Sequence, residues 1–250
     1  MIEFEYGFQS YTFNNFDYIE FWNCFFKLEF QNSFSPLKYD ITDHPKRLFP
    51  KYEAQEILDF YIENGDLFIH CNKNLLIWVK EFSKKIYNET YFLEKSKDKL
   101  ALRVLLLDGF KTSLPFFARG SKKEEYDKKH KVIELFDDGG SAESAIGVSR
   151  KEFRQQLPGI YSFTVFGSEI ISFFTQAKLE GMKSIFPNLE YFEGEHYFGF
   201  QIDDENQSPE TVIQIQKQIA QYLGQEYFFD RDLVGQVEFK PIPTVLEKIR

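Results

Sequence analysis

Two carboxylates and a lysine near the C-terminus are the strongest candidates for catalytic chemistry. Glu238 and Lys240 flank a phenylalanine, and Asp232 precedes them. On a β-strand an acid-x-Lys pair projects from one face, and metal-dependent nucleases use such a pair with a further acid to bind Mg²⁺ and polarise water. These residues define one alternative function, a metal-dependent hydrolase or nuclease. The simpler interpretation, which we favour, is the polar face of a half-exposed strand over 234–240.

The other residues with chemical potential form no recognised catalytic pattern. The four histidines contain no H-x-x-x-H spacing, and the sequence has no Walker phosphate loop, no G-x-G-x-x-G and no G-x-S-x-G motif. His196 lies near Glu193 and Glu195, where a divalent metal could bind, although a solvated strand end explains the same residues. We therefore predict no catalytic residue, no metal ligand and no cofactor, in a protein that is not an enzyme.

The segment from Ser184 to Gln216 is acidic and rich in aromatic residues, and it contains no lysine or arginine. Such a surface attracts a basic protein and speeds its encounter, and exposed aromatic side chains then anchor the complex. The residues predicted to bind a partner are Glu190, Tyr191, Glu193, Glu195, Asp203, Asp204 and Glu205. A solvated acidic loop around a core strand is the alternative interpretation.

Composition limits the classes of partner and compartment. The 250 residues carry a formal net charge of -9. Because that charge repels a polyanion, we predict neither a nucleic-acid partner nor an anionic membrane partner. The two cysteines, Cys24 and Cys71, define no disulfide framework, and the N-terminus lacks the basic and apolar regions of a signal peptide. We therefore expect a cytoplasmic protein.

The stretch from Leu157 to Gly181 combines more local structural signals than any other. Pro158-Gly159 indicates a turn, and the apolar residues 160–166 indicate a buried strand. Ser168 is the predicted N-cap of a helix that ends at Gly181. The stretch is therefore predicted to be a scaffold that contains no catalytic residue.

Strands and helices elsewhere follow no strict βαβ alternation. Helices are predicted at 54–62, 74–87, 150–156 and 209–223, and a turn or helix at 243–250. Strands are predicted at 2–8, 67–69, 100–107, 132–136, 197–202 and 234–240, with a short helix as the alternative at 100–107. Residues 18–30 fit a helix and then a strand, 35–50 indicate an irregular connection, and 111–131 indicate a solvated segment of mixed charge.

These elements predict an α+β fold with a mixed, largely antiparallel sheet packed with several helices. The 30 phenylalanines and 14 tyrosines supply ample apolar area for its core. Because neither an internal repeat nor a low-complexity linker divides the sequence, residues 1–250 are predicted to form a single α+β domain. The loop near 137–148 is the candidate sub-boundary.

Two short motifs in the C-terminal part carry a family resemblance. The first is Leu157-Pro158-Gly159-x-Tyr161 followed by Phe166-Gly167, and the second is Leu223-Gly224 followed by Phe228-Phe229. Both are similar to motifs of bacterial polymorphic-toxin immunity proteins associated with type VI secretion. Ser162 departs from the pattern, because that family carries an aromatic residue there. The resemblance implies an intracellular protein that binds and blocks a cognate toxin, often a nuclease.

Together these observations predict an immunity protein that binds and neutralises a cognate bacterial toxin through the acidic, aromatic-rich surface. The toxin is expected to be basic, and a nuclease is one candidate. The first alternative is the hydrolase built on Asp232, Glu238 and Lys240. The second is a non-catalytic structural or regulatory module whose partner is not a toxin.

Overall fold

A ten-stranded antiparallel sheet organises the chain in the computed structural model, which describes residues 4–13, 27, 32–50, 54–83, 86–135, 141–145 and 152–249. The strands are β1 (Tyr6–Phe13), β2 (Pro36–Asp40), β3 (Arg47–Leu48), β4 (Asp66–Cys71), β5 (Leu75–Ser83), β6 (Ile86–Leu93), β7 (Phe117–Lys122), β8 (Lys131–Leu135), β9 (Ser141–Ala145), β10 (Phe163–Gly167), β11 (Glu190–Gly194) and β12 (Tyr197–Gln201). Their order in the sheet is β11-β12-β10-β7-β1-β6-β5-β4-β2-β3, while β8 and β9 form a separate antiparallel pair.

Helices pack on both faces of this sheet. They are α1 (Ala54–Asn64), α2 (Lys99–Ser113), α3 (Lys123–His130), α4 (Ser168–Phe174), α5 (Gln176–Ile185), α6 (Pro209–Leu223) and α7 (Pro243–Ile249). One hydrophobic cluster joins α1 and α2 to the sheet, and a second joins α4, α5, α6 and α7 to its opposite face. The predicted α+β fold with an antiparallel sheet is confirmed.

Alternation along the central strand β1 explains why the sheet has two covered faces. Tyr6 and Phe8 belong to the first cluster, whereas Tyr11 and Phe13 belong to the second. Successive side chains of a strand point to opposite faces, so one aromatic strand supplies both layers of the core. Tyr11 makes an edge contact with Phe153, with their ring centroids 4.7 Å apart.

Helices with strong terminal signals lie where the sequence predicts them. The α6 helix begins with Pro209, and the Ser208 hydroxyl accepts a hydrogen bond from the Thr211 amide at 3.3 Å. It ends at Leu223, and the C-cap residue Gly224 has φ of +118°. The α1 helix ends before Gly65, and α7 occupies the predicted C-terminal position. Predicted strands at 67–69, 132–136 and 197–202 correspond to β4, β8 and β12.

Two predictions in the middle of the chain are wrong. The helix predicted at 74–87 is replaced by the strand β5 and the start of β6. Leu75, Ile77 and Val79 are buried at the two-residue period of a strand. Residues 100–107 form part of helix α2 rather than the favoured strand, so the helix, which was the alternative there, is correct. In α2, Leu102 and Leu106 face the core, as their four-residue spacing allows.

Smaller corrections concern the ends of elements. The predicted connection 35–50 contains β2 and β3, and Pro36 is tolerated because it is the first residue of its strand. Ser168 is the first helical residue of α4 rather than its cap, and its hydroxyl donates to the His196 carbonyl at 3.4 Å. Thr175, with φ of +68°, separates α4 from α5, so Gly181 lies inside a helix.

Residues 111–131 are more ordered and more buried than a solvated segment. They contain the strand β7 and the helix α3, and Arg119, Glu125 and His130 are buried. The helix predicted at 150–156 is a 3₁₀ turn at Glu152–Arg154. The pattern at 18–30 and most of the candidate boundary at 137–148 lie outside the described residues, and the single-domain organisation stays a prediction. In the described part, no helix is long and apolar enough to cross a membrane.

Candidate partner-binding surface

The acidic segment folds into the outermost hairpin of the sheet. The strand β11 ends the strand order, β12 pairs with it, and residues 203–205 follow β12 as a loop. The structure thereby places the predicted residues along the hairpin at one edge of the sheet. Glu190 and residues 203–205 lie at its open end, and Glu193 and Glu195 lie at its turn. We call this surface the acidic edge; its carboxylates belong to Glu190, Glu193, Glu195, Asp203, Asp204 and Glu205, and it also contains Tyr191.

Helix α2 supplies cations to the inner part of the acidic edge. Lys99 Nζ lies 2.6 Å from the Asp204 carboxylate and 3.0 Å from that of Glu205. Arg103 donates to both oxygens of Glu190 at 2.8 and 2.9 Å, a bidentate geometry that fixes the guanidinium. Sequence reasoning missed both cations. The signal was Arg103, a single arginine inside the apolar run 100–107 that lies four residues, about one helical turn, after Lys99.

Helix α5 neutralises a further carboxylate of the acidic edge. Lys183 Nζ lies 2.6 Å from Glu193 and 2.8 Å from Glu180. Tyr191 points inwards, and its hydroxyl donates to the Met182 and Phe186 carbonyls at 3.1 Å. Burial raises the pKa of Tyr191 to about 12, so this side chain is neutral and ties the hairpin to α5.

Five of the six carboxylates are exposed. Glu190 and Glu193 are paired with cations of α2 and α5, and Glu195, Asp203 and Glu205 are the other three. The Glu195 side chain is 88% exposed, and the nearest imidazole nitrogen of His196 is 3.9 Å away. Asp203 accepts hydrogen bonds from the Glu205 and Asn206 amides and from the Asn206 side chain. The Asn206 side-chain bond is the main cause that lowers the pKa of Asp203. Glu205 is 63% exposed although it touches Lys99.

A cavity of 380 Å³ opens between α2 and the loop that follows β12. Its walls carry Glu190, Asp203, Asp204 and Glu205 together with Lys99 and Arg103. Asp204 is only 5% exposed, and its second oxygen has no hydrogen-bond partner in the described part of the chain. The four carboxylates outnumber the two cations, so the cavity carries excess negative charge.

Aromatic residues of this hairpin pack inwards instead of standing in solvent. The Phe192 ring stacks on Phe163 with centroids 5.2 Å apart, and Tyr197 makes an edge contact with Phe110. Phe198 is buried in the second hydrophobic cluster. The expectation that these rings anchor a partner therefore loses its structural basis. The acidic edge therefore presents mainly carboxylates to a partner, rather than exposed aromatic rings.

The geometry assumed for the alternative hydrolase site is absent. Residues 234–240 form turns and irregular backbone rather than a strand, so Glu238 and Lys240 are not placed on one strand face. Asp232 is 2.7 Å from Lys217 Nζ, and this contact holds the pKa of Asp232 below its usual value. Across the described residues, no group of three or more His, Cys, Asp or Glu side chains could hold a metal ion.

A buried polar network that the sequence did not reveal fixes the 157–167 stretch. Arg119 on β7 is 4% exposed, donates to the Gln9 side chain from Nε at 3.0 Å and also donates to the Tyr161 hydroxyl. Its guanidinium carbon lies 4.5 Å from the Tyr161 ring centroid. His130 hydrogen-bonds the same hydroxyl. The Tyr161 hydroxyl thus connects β7 and α3 to the turn before β10.

Glu125 on α3 fixes Ser162, the residue after Tyr161, through further buried hydrogen bonds. Its carboxylate accepts from the Ser162 amide at 3.1 Å, from the Ser162 hydroxyl, and from the Gln216 side chain at 2.8 Å. Burial raises the pKa of Glu125. Ser162, the position that departs from the family pattern, therefore uses its small polar side chain to bind a buried acid. We call residues 157–167 with Arg119, Glu125, His130 and Gln216 the anchor block.

The two motifs that carry the family resemblance meet in space. Leu157 forms a parallel β-bridge with Phe228. The Leu157 amide donates to the Tyr227 carbonyl, and the Phe229 amide donates to the Leu157 carbonyl, both at 2.8 Å. A Cβ on Gly159 would lie 2.8 Å from the Phe229 carbonyl oxygen. The motifs are therefore two sides of one structural junction.

Comparison with known structures identifies a similar fold. A Pseudomonas aeruginosa structure described as T6SS protein PA0821 matches with a TM-score of 0.56 at 9% sequence identity. The match covers 90% of this chain and 76% of that one. No protein-family model and no curated relative matches the sequence. At this identity the similarity establishes the architecture alone.

Proposed function

We propose that this chain is a non-enzymatic immunity protein that binds and neutralises a cognate bacterial toxin at the acidic edge. The observation that carries the proposal is the set of six carboxylates on the edge hairpin and the loop after it. Five of them are exposed, and four line a negatively charged cavity. A protein with a basic active site or substrate groove is attracted to such a surface, and bound carboxylates occupy positions that phosphates would take.

The shared architecture supports the association with type VI secretion. The similar Pseudomonas aeruginosa structure is described as a T6SS protein, and the two motifs that resemble immunity proteins meet at one junction. A pre-formed surface also suits rapid inhibition, because Lys99 and Arg103 hold its inner carboxylates in place before a partner arrives. Fixing these groups in advance reduces the ordering cost of binding.

Co-expression with the product of the adjacent gene tests the proposed function directly. We expect the chain to restore growth of cells that produce the toxin and to co-purify with it. A toxin that remains lethal, together with no complex between the purified proteins, would contradict the proposal. A calorimetric titration with Mg²⁺ and Mn²⁺ addresses the hydrolase alternative, and Glu238→Ala serves there as the matched variant.

Charge reversal maps the surface that is used. The double variant Glu195→Lys and Glu205→Lys changes exposed residues, and it leaves the buried Asp204 intact. We expect it to weaken toxin binding about a hundredfold, mainly through slower association at low salt. The control is Asp59→Lys with Glu63→Lys on the exposed face of α1, which changes the net charge equally. Equal weakening by both variants would assign the effect to net charge rather than to the acidic edge.

A further inference from the structure

A second cavity, which shares no lining residue with the acidic edge, lies between α6 and residues 228–233. Its volume is 470 Å³, within the roughly 300–1,000 Å³ range of small-molecule sites. Ile160, Phe228 and Phe229 form apolar parts of its wall. Four cations line the cavity, Lys128, Lys129, Lys217 and Arg231, together with three carboxylates, Glu210, Asp230 and Asp232. Cations thus outnumber acids here, which is unusual in this acidic chain.

Two of these cations are neutralised within the protein. Lys128 Nζ is 3.1 Å from both Glu124 and Glu210. Lys217 Nζ is 2.7 Å from Asp232 and 3.9 Å from Asp230. Both lysines therefore have carboxylate partners, and neither needs a ligand to balance its charge.

The other two cations have no ion-pair partner among the described residues. Lys129 Nζ donates to the Ile160 carbonyl at 2.6 Å and lies 5.0 Å from the Tyr161 ring centroid. Burial lowers the pKa of Lys129 to about 8. The negative charges of Glu125 and Asp230 partly offset this decrease, although neither carboxylate is within ion-pair distance of Lys129. Arg231 donates to the Lys131 carbonyl at 3.3 Å. Two positive groups in one cavity thus keep unused hydrogen-bond donors.

An acceptor in the same wall also lacks a partner. Gln216 is 1% exposed, and its amide nitrogen donates to Glu125 at 2.8 Å. Within the described part of the chain, its Oε1 atom accepts no hydrogen bond. A buried acceptor left without a donor is unfavourable, because its lost hydration is not replaced. A ligand with a hydroxyl or N–H group would remove that cost.

We propose that this cavity binds a small phosphate monoester that carries a hydroxyl or N–H donor. The two negative charges of the phosphate match Lys129 and Arg231, whose donors suit phosphate oxygens. The donor of the ligand pairs with Gln216, and its carbon skeleton contacts Phe228 and Phe229. This site is independent of toxin binding at the acidic edge.

Calorimetric titration with glycerol 3-phosphate tests the site in the intact chain at low salt. We expect saturable binding that Lys129→Met weakens about tenfold or more. Lys128→Met is the matched control: the neighbouring lysine lines the same cavity but is paired with two glutamates, so its loss should change affinity less than about twofold. Absence of saturable binding, or equal weakening by both variants, would overturn the proposal.

Two further measurements test the proposed site even if the Lys129→Met variant fails to fold. In the reductively ¹³C-methylated wild-type protein, glycerol 3-phosphate should raise the titration midpoint of Lys129, because a bound anion stabilises the ammonium form. An unchanged midpoint would contradict binding at this residue. Methyl phosphate, which has no free hydroxyl, should bind at least about threefold more weakly than glycerol 3-phosphate. Equal affinity would refute the role of Gln216.

Discussion

The anchor block and the acidic edge both place charged side chains near β10, but they compensate those charges differently. In the anchor block, Arg119 and Glu125 are buried, and their partners are neutral groups such as Gln9, Tyr161 and Ser162. At the acidic edge the carboxylates meet lysines and an arginine, and most of the acids stay in solvent. Loss of a charge should therefore damage folding in the first region and mainly alter surface potential in the second.

The difference follows from the cost of removing a charge from water. A buried charge is tolerated only when hydrogen bonds replace its hydration, so each partner becomes essential. An exposed ion pair gains little because water screens it and both side chains lose mobility. The anchor block is consequently suited to fixing the fold. The acidic edge can change its partners at low cost, which suits a binding surface.

The substitution Gly159→Ala should give the largest effect, a loss of about 3–4 kcal/mol in the free energy of unfolding. The φ of Gly159 is +119°, where a side chain is strained, and a Cβ would lie 2.8 Å from the Phe229 carbonyl oxygen. The junction between the two motifs would have to separate. Chemical denaturation of the wild-type and variant proteins measures the change.

Gly65→Ala separates steric contact from backbone strain in this experiment. Gly65 also has a positive φ, +73°, but nothing lies within 4 Å of an added Cβ. Its substitution should cost only about 1 kcal/mol. Similar losses at the two glycines would show that the Phe229 contact is unimportant and that the anchor block tolerates repacking.

The same substitution at Arg119 and Arg103 compares the two regions directly. Arg119→Met leaves Gln9 and the Tyr161 hydroxyl without their donor, so we expect a loss of about 2–3 kcal/mol. Arg103→Met breaks an ion pair with the exposed Glu190 and should cost about 0.5–1 kcal/mol. Denaturant midpoints at equal salt check both values. A larger loss at Arg103 would reverse our assignment of the two regions.

A pH-dependent prediction concerns Glu89, a buried acid on β6 that makes no ion pair within the described residues. Ser10 and Tyr91 donate to its Oε2 at 3.2 and 2.8 Å, yet burial raises its pKa from 4.5 to about 7. The folded state therefore holds more protons than the unfolded state between those pH values. Stability from this group falls as pH rises through the window and stays low above it.

Glu89→Gln should consequently stabilise the protein by about 1–2 kcal/mol at pH 8 and give no gain near pH 4.5. Stability curves of both proteins across this range provide the measurement. Glu205→Gln, the same change on the acidic edge, should leave the pH dependence close to that of the wild type. A gain at Glu89 that does not vary with pH would point to packing instead of ionisation.

Local signals in the sequence predicted a helix correctly where the residues at both of its ends favour helix initiation and termination. Ser208, Pro209 and Gly224 predict α6 because the cap, the first-turn proline and the terminal glycine act within the segment itself. The acidic edge was also visible, since its residues are close together in sequence. The Pro158-Gly159 turn signal was also reliable, since the φ of Gly159 is +119°.

Contacts between distant residues explain what the sequence could not show. The pairs Lys99–Asp204 and Arg103–Glu190 are separated by 105 and 87 residues. Residues 74–87 contain apolar residues at helical spacing, but pairing with β4 and β1 makes the two-residue period decisive. Tertiary pairing therefore overrides a local pattern. The buried Arg119 gave no signal because its partners come from β1, α3 and the turn before β10.

The smallest predicted effect compares two acids that bind the same lysine. Lys99 Nζ contacts Asp204 at 2.6 Å and Glu205 at 3.0 Å, but Asp204 is 5% exposed and Glu205 is 63% exposed. We expect Asp204→Asn to cost about 1 kcal/mol and Glu205→Gln less than about 0.5 kcal/mol. Only the Glu205 effect should disappear in high salt, because water and ions reach that pair. If both effects vanish in salt, Asp204 belongs with the exposed acids, and the inner acidic edge is no more fixed than its rim.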